Sequence, residues 1–286
     1  MLLKLHLEHL PVPFQDVAQQ VGIVQVGFRL VISAASYLPQ LNKIEQQQSC
    51  AGISSAHVML NLVSMTDQFA WSFYLLAANS AVADIIVQSP PTPRDWLNLI
   101  QHAVLWTYQL LFFVLFLYYA GLHPSVKALL VLLFVILLLV EFVPIFGVVA
   151  LIQRDIIGVK EWLPAFVTGI HFLVYIPLAT AVGAGTFSSQ WRLLNERDNV
   201  GAFSTNSSSI QSIVFLVLAF CWPSRLHLPA GANWPGRVRL VSWYQMFGWA
   251  SVDGLVFAVS QGILWWQARR LGENLLQEEG QPLLVS

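Results

Sequence analysis

A carboxylic acid in the middle of a stretch long and apolar enough to cross a bilayer is an uncommon placement, and this chain has two. Asp253 lies near the centre of 241–266, and Asp67 lies within 57–78 among Asn61, Ser64, Gln68 and Ser72. An ionised carboxyl at that depth costs about 2.5 to 3.5 kcal/mol on insertion scales. Such a group is expected to hold a proton or to stand against a cation or water. A carboxyl that gains and loses a proton can couple to a pH difference. Amide, hydroxyl and carboxyl groups on one helix can hydrogen-bond a zwitterion or a polyol. At 100° per residue, the five polar residues of 57–78 fall within an arc of roughly 140°. That face is expected to meet protein or water, because facing lipid is costly.

Other polar residues interrupt apolar runs. Arg29, in 21–43, reads either as a side chain reaching the interface or as a counter-ion to Asp253 or Asp67. A permanent Asp253–Arg29 pair stands beside a titrating Asp253, and Asp67 reads equally as a hydrogen-bonded core acid or as a solute contact. Glu141 and His171 read as structural polar contacts, and His57 as an interfacial residue at the start of its helix.

Composition fixes the elements that must position these groups. The chain has 286 residues, 56% hydrophobic and only 10% charged, with a mean hydropathy of +0.64. That is too apolar for a soluble domain and too long for one membrane hairpin, which implies a polytopic all-α membrane protein. A net charge of -1 offers no basic field, so nucleic acid is not an expected partner. Cys50 and Cys221 lack metal-ligand spacing and read as packing residues, so neither a metal nor a cofactor is expected. HExxH, GxSxG and clustered histidines do not occur, and no loop is long enough for a catalytic domain, so an enzyme is not expected.

Seven spans are expected, at 21–43, 57–78, 96–120, 126–151, 162–187, 204–222 and 241–266. Residues 1–20 read as an N-terminal tail and 268–286 as a C-terminal tail. An internal repeat organises them. Residues 33–55, SAASYLPQLNKIEQQQSCAGISS, carry Pro39-Gln40 where an apolar segment meets a polar loop. A shifted copy, GTFSSQWRLLNERDNVGAFST, closes a later segment. Gln190 lies 150 positions after Gln40, Ser204 after Ser54, and Gln211 after Asn61. The expected architecture is a triple-helix bundle (21–122), a linker helix (123–160) and a second triple-helix bundle (161–267). An odd number of spans per unit would invert a directly fused copy, and the extra crossing restores parallel halves. Pro39 removes a backbone donor and is expected to bend or end the first helix.

The motif YLPQLNKI followed by Gly52-Ile53-Ser54 resembles the PQ-loop family, which includes cystinosin, the vacuolar and lysosomal cationic amino acid exporters and, more distantly, the SWEET sugar transporters. The resemblance covers 21–270. It departs in the second copy, where Ser189 replaces the proline and Phe203 separates Ala202 from Ser204. The polar texture of 57–78 and the Trp-rich last span are similar to fungal members rather than to those with assigned substrates.

The resemblance implies that Pro39 and Gln40, with Gln190 as their counterpart, form a transport hinge opening the cytosolic side. It implies that Asp253 couples transport to protons, and that the N-terminus is luminal and the C-terminus cytosolic, an orientation the balanced basic residues leave open. The expected function is transport of a small polar solute, first an amino acid, across a vacuolar or lysosomal-type membrane by alternating access. Arg29, Asn61, Asp67, Gln68 and Gln211 would line its cavity. The alternative is a non-transporting membrane scaffold or folding helper that recruits cytosolic partners through 189–205. A seven-helix receptor fits the span count but not the repeat. In the tail, Glu279, Leu283 and Leu284 match an acidic dileucine pattern read by sorting adaptors. The expected partners are therefore the lipid bilayer, a small polar solute, protons and such adaptors. No sequence feature sets an oligomeric state.

Overall fold

The structure, a computed structural model, describes residues 24, 27–78, 87, 90–154, 159–196, 200–222, 243–244 and 248–279. Regular structure among them is helical throughout. In chain order the helices are α1 (27–35), α2 (Leu38–Gln47), α3 (Ser55–Ala78), α4 (Pro93–Tyr119) and α5 (Pro124–Gln153). They are followed by α6 (Val159–Ile170), a π turn (His171–Tyr175), α7 (Ile176–Asn195), α8 (Thr205–Cys221) and α9 (Trp249–Glu279).

Among the described residues, three segments are long and apolar enough to cross a membrane: Asp95–Tyr119, Pro124–Ile152 and Trp162–Asn195. Thr205–Cys221 is apolar but shorter. α3, with 24 residues, matches them in length but carries the polar face. Along α5, Leu129, Leu132, Leu139, Val143 and Phe146 are all exposed. In water such a surface would be unfavourable, whereas against acyl chains it is not. These features define an all-helical protein suited to a membrane.

Proline shapes the helices at two places. The expected first helix does not run unbroken to Lys43. It breaks at Ser36 and Tyr37, and Pro39 sits in the first turn of α2, where its missing N–H is no loss. Proline therefore opens a new helix here instead of ending the old one. Pro177, in the first turn of α7, cannot donate to the carbonyl four residues back, and the chain takes up an extra residue over His171–Tyr175.

α3 is the central helix, packed on α4, α5 and α7. α9 lies along both α8 and α7, and α2 touches α4 and α8. Lipid tails are as apolar as leucine, so helix association here depends on close approach and on polar contacts. The α8–α9 seam shows both. A Cβ at Gly254 would meet that of Ala219 at 3.3 Å, so glycine permits the close approach, while Ser212 Oγ donates to Ala258 O at 2.8 Å and Ser251 Oγ donates to Ala219 O. Ser251, Gly254, Ala258 and Gly262 recur at three- and four-residue spacing, which keeps the small side chains on one face.

Among the described residues, the buried apolar side chains form three clusters. One, with Ile44, Ile53, Val58, Phe116, Leu194 and Phe203, backs the two polar loops. A second, with Trp71, Tyr74, Ile145, Ile176, Trp222 and Trp249, packs α3, α5, α7 and α9. A third, with Tyr37, Met65, Leu105, Val214 and Ala258, holds α3, α4, α8 and α9 together.

Candidate functional site

Two glutamines hold the loops that follow α2 and α7. Gln40 Nε2 donates to Ala202 O at 2.9 Å, and its Oε1 accepts from Ser204 N at 2.7 Å. Gln190 Nε2 donates to Gly52 O at 2.7 Å, and its Oε1 accepts from Ser54 N at 2.9 Å. All three positions in each clamp have counterparts 150 residues away. The same offset relates Ser207 Oγ donating to Ser36 O at 2.7 Å and His57 Nδ1 bonded to Thr186 O at 3.1 Å. It also relates Asn61 against His57 at 3.1 Å and Gln211 Nε2 donating to Ser207 Oγ at 3.3 Å.

The loops cross backbone to backbone, with Ala202 N donating to Ala51 O at 2.6 Å. Gly52 and Gly201 have φ of 89° and 56°. A Cβ at Gly52 would overlap Val200 O, and one at Gly201 would overlap Ala51 O, so only glycine fits the crossing. Lys43 Nζ adds a bond to Phe203 O at 2.7 Å. Burial pushes the Cys50 thiol, in the first loop, up to about 11.

Deeper in the bundle, a cavity of about 50 Å³ is lined by Asn61, Ser64, Gln68, Gln101, His102, Thr180 and Asp253, with Phe215, Trp222 and Phe257 among its apolar walls. A second cavity of about 20 Å³, nearer the loops, is lined by Gln40, His57, Asn61, Gln109, Ser207, Gln211, Phe257 and Gln261. Asn61 and Phe257 belong to both. Ile53 and the second cavity adjoin an open groove of about 650 Å³ at the loop face, bordered by Ser54, Ser189, Arg192 and Glu196. Polar space thus runs in series from the level of Asp253 to the loops.

Asp253 is 7% exposed. Its Oδ1 accepts from Thr180 Oγ1, which stands within hydrogen-bond reach of Tyr244 OH, and that hydroxyl lies 3.2 Å from Ile176 O. Gln68 approaches the same carboxyl, yet Oδ2 is buried without a hydrogen-bond partner among the described residues. Asp67 is 3% exposed and lies within electrostatic reach of Glu141 and Asp253. Its Oδ1 stands 3.8 Å from His171 Nε2 in the π turn. The His171 ring is stacked between Trp71 at 3.8 Å and Tyr175 at 5.6 Å.

The residues singled out from sequence are placed as follows. Asn61, Gln68 and Asp253 share the deeper cavity, and Gln211 lines the second. Asp67 sits behind them with His171 and Glu141. Arg29 is half-buried on α1, lines neither cavity and forms no ion pair with Asp253 or Asp67 among the described residues. Gln190 is fully buried despite the serine before it, and Ser189 Oγ instead donates to Thr186 O at 2.9 Å. His57 is 4% exposed and bonded to Thr186 O on α7, so its ring packs against protein. Leu283 and Leu284 and the Glu279 side chain lie outside the described residues. Sequence reasoning missed Thr180, Tyr244, Gln101 and His102. Each is an ordinary helix residue by type, and only Gln101 and His102, adjacent polar residues inside an apolar span, carried a signal.

No family model matches the chain, and no curated protein or solved structure does.

Proposed function

We propose that the protein is a membrane transporter of PQ-loop type. In this reading seven spans form two parallel triple-helix bundles joined by a linker helix, and a small polar solute, first an amino acid, crosses a vacuolar or lysosomal-type membrane. The observation that carries the reading is the series of polar cavities between the two glutamine-clamped loops and Asp253. A solute path needs polar groups in an otherwise apolar bundle, and parallel repeats commonly place that path where they meet. A proton on Asp253 would neutralise a buried charge and favour whichever facing state keeps that carboxyl drier, which is how a proton gradient can bias a conformational equilibrium. Pro39, Gln40 and Gln190 would form the hinge, and the dileucine segment would direct sorting.

The test is flux in reconstituted vesicles loaded with an amino acid and a sugar panel under an imposed pH gradient, with wild type beside Asp253→Asn. Gradient-driven flux that falls at least tenfold in the variant is the expected result. Equal flux in both would remove the coupling, and no flux of any solute would remove the transporter.

A second reading, a non-transporting scaffold, is favoured by the wide groove at the loop face, which is open and bordered by Arg192 and Glu196. Capture of cytosolic proteins by the 189–205 loop, together with absent flux, would select it.

A further inference from the structure

We propose that the cavity beneath Asp253 binds the primary ammonium group of a solute that carries no carboxylate. The proposal rests on the reading of this cavity as a solute site and replaces the amino acid of that reading with an amine. Asp253 is more than nine-tenths buried and lines a cavity of about 50 Å³; one of its oxygens is taken by Thr180, and the other, on a carboxyl that Gln68 also approaches, is buried without a hydrogen-bond partner among the described residues. A buried carboxylate oxygen left unpaired is costly, and a cation placed against it offsets that cost.

The surroundings select the kind of cation. An ammonium offers three donors, and Asn61 and Gln68, whose amides each carry an acceptor oxygen, line the cavity with Asp253. Phe215, Trp222 and Phe257 also line it, and aromatic rings attract an alkylammonium through their π electrons. A free volume of about 50 Å³ admits several waters or a small cationic head, with the rest of the solute extending toward the second cavity.

The same surroundings disfavour an anion. None of the described lining residues is lysine or arginine, and the half-buried Arg29 is not among them. Asp67, the acid within electrostatic reach of Asp253 and Glu141, supplies no positive charge either, so the carboxylate of an ordinary amino acid would find no counter-ion here. Amide and hydroxyl donors could hydrogen-bond that carboxylate without neutralising it.

The experiment uses the full chain in lipid nanodiscs at neutral pH. The unfolding midpoint is measured against methylammonium chloride, putrescine dihydrochloride, glycine, sodium acetate and glucose, with potassium chloride at matched ionic strength. Methylammonium and putrescine should raise the midpoint saturably, at half-saturating concentrations at least tenfold below that of glycine, and Asp253→Asn should abolish the response. Equal stabilisation by glycine, acetate or potassium, or by no probe at all, overturns the proposal, as does an undiminished response in Asp253→Asn. Should that variant fail to fold, the wild-type panel decides alone. Amine binding without flux in vesicles would sink the transporter reading and support this one. Glycine flux without amine binding would do the reverse.

Discussion

His171 Nε2 faces Asp67 Oδ1 at 3.8 Å, and neither atom has a hydrogen-bond partner among the described residues. The gap is too long for a hydrogen bond. The imidazole cannot close it without leaving the ring stack between Trp71 and Tyr175. Packing, rather than charge, therefore sets where His171 stands. His171→Phe keeps a flat ring in the stack and should unfold within about 1 kcal/mol of wild type. His171→Ala loses the stack and leaves a void beside Trp71, at a cost of about 2 to 4 kcal/mol. Unfolding in detergent, followed by tryptophan fluorescence, checks both. Equal stability of the two variants would mean that the stack contributes nothing.

The glutamine clamps should count equally, although only one follows a proline. Gln40→Ala strands Ala202 O and Ser204 N, and Gln190→Ala strands Gly52 O and Ser54 N. Each buried polar group left unbonded costs about 1 to 3 kcal/mol. Both variants should lose several degrees of melting temperature, to a similar extent. A tolerant Gln190 beside a sensitive Gln40 would show that the second clamp is dispensable.

At the crossing of the loops, Gly52→Ala and Gly201→Ala each press a methyl group into main-chain oxygen that has nowhere to go, and from a left-handed φ. Neither variant should yield folded protein by size-exclusion chromatography, while Gly147→Ala, with open space around it, should behave as wild type. Monodisperse protein from either crossing variant would contradict the close approach.

Cys50 tests the burial of the first loop. It is 4% exposed and its thiol is held up at about 11, so at pH 7.5 its thiolate fraction should be roughly 300-fold below that of an ordinary thiol near 8.5. In a Cys221→Ser background, iodoacetamide should label it correspondingly slowly, with the rate climbing tenfold per pH unit until the pH nears 11. A rate that levels off near pH 9 would show that the thiol is solvated.

Much of this arrangement was legible in the residues. The 150-residue offset between Gln40 and Gln190 is visible as repeated text, because a motif that bonds to main chain must keep its own spacing. The membrane-suited helices followed from apolar composition. The deep polar groups followed from Asp67 and Asp253, since an acid in an apolar run is conspicuous. The break before Pro39 was misplaced, because proline tolerates the first helical turn as readily as it terminates a helix. Thr180 and Tyr244 left no trace, as hydroxyl residues are common in helices and only tertiary contact aims them at Asp253. The partner of His57 was hidden for the same reason: its position at a helix start says nothing of Thr186 on another helix.

The crossing of Gly52 and Gly201 carries a consequence for how this chain can vary over time. With main chain lying on main chain, an inserted or deleted residue in one loop shifts its partner out of register and breaks the bonds at both ends of the offset together. Lasting changes there should arrive as matched pairs, so among related sequences 49–54 and 199–204 should covary in length and drift more slowly than the helices they connect.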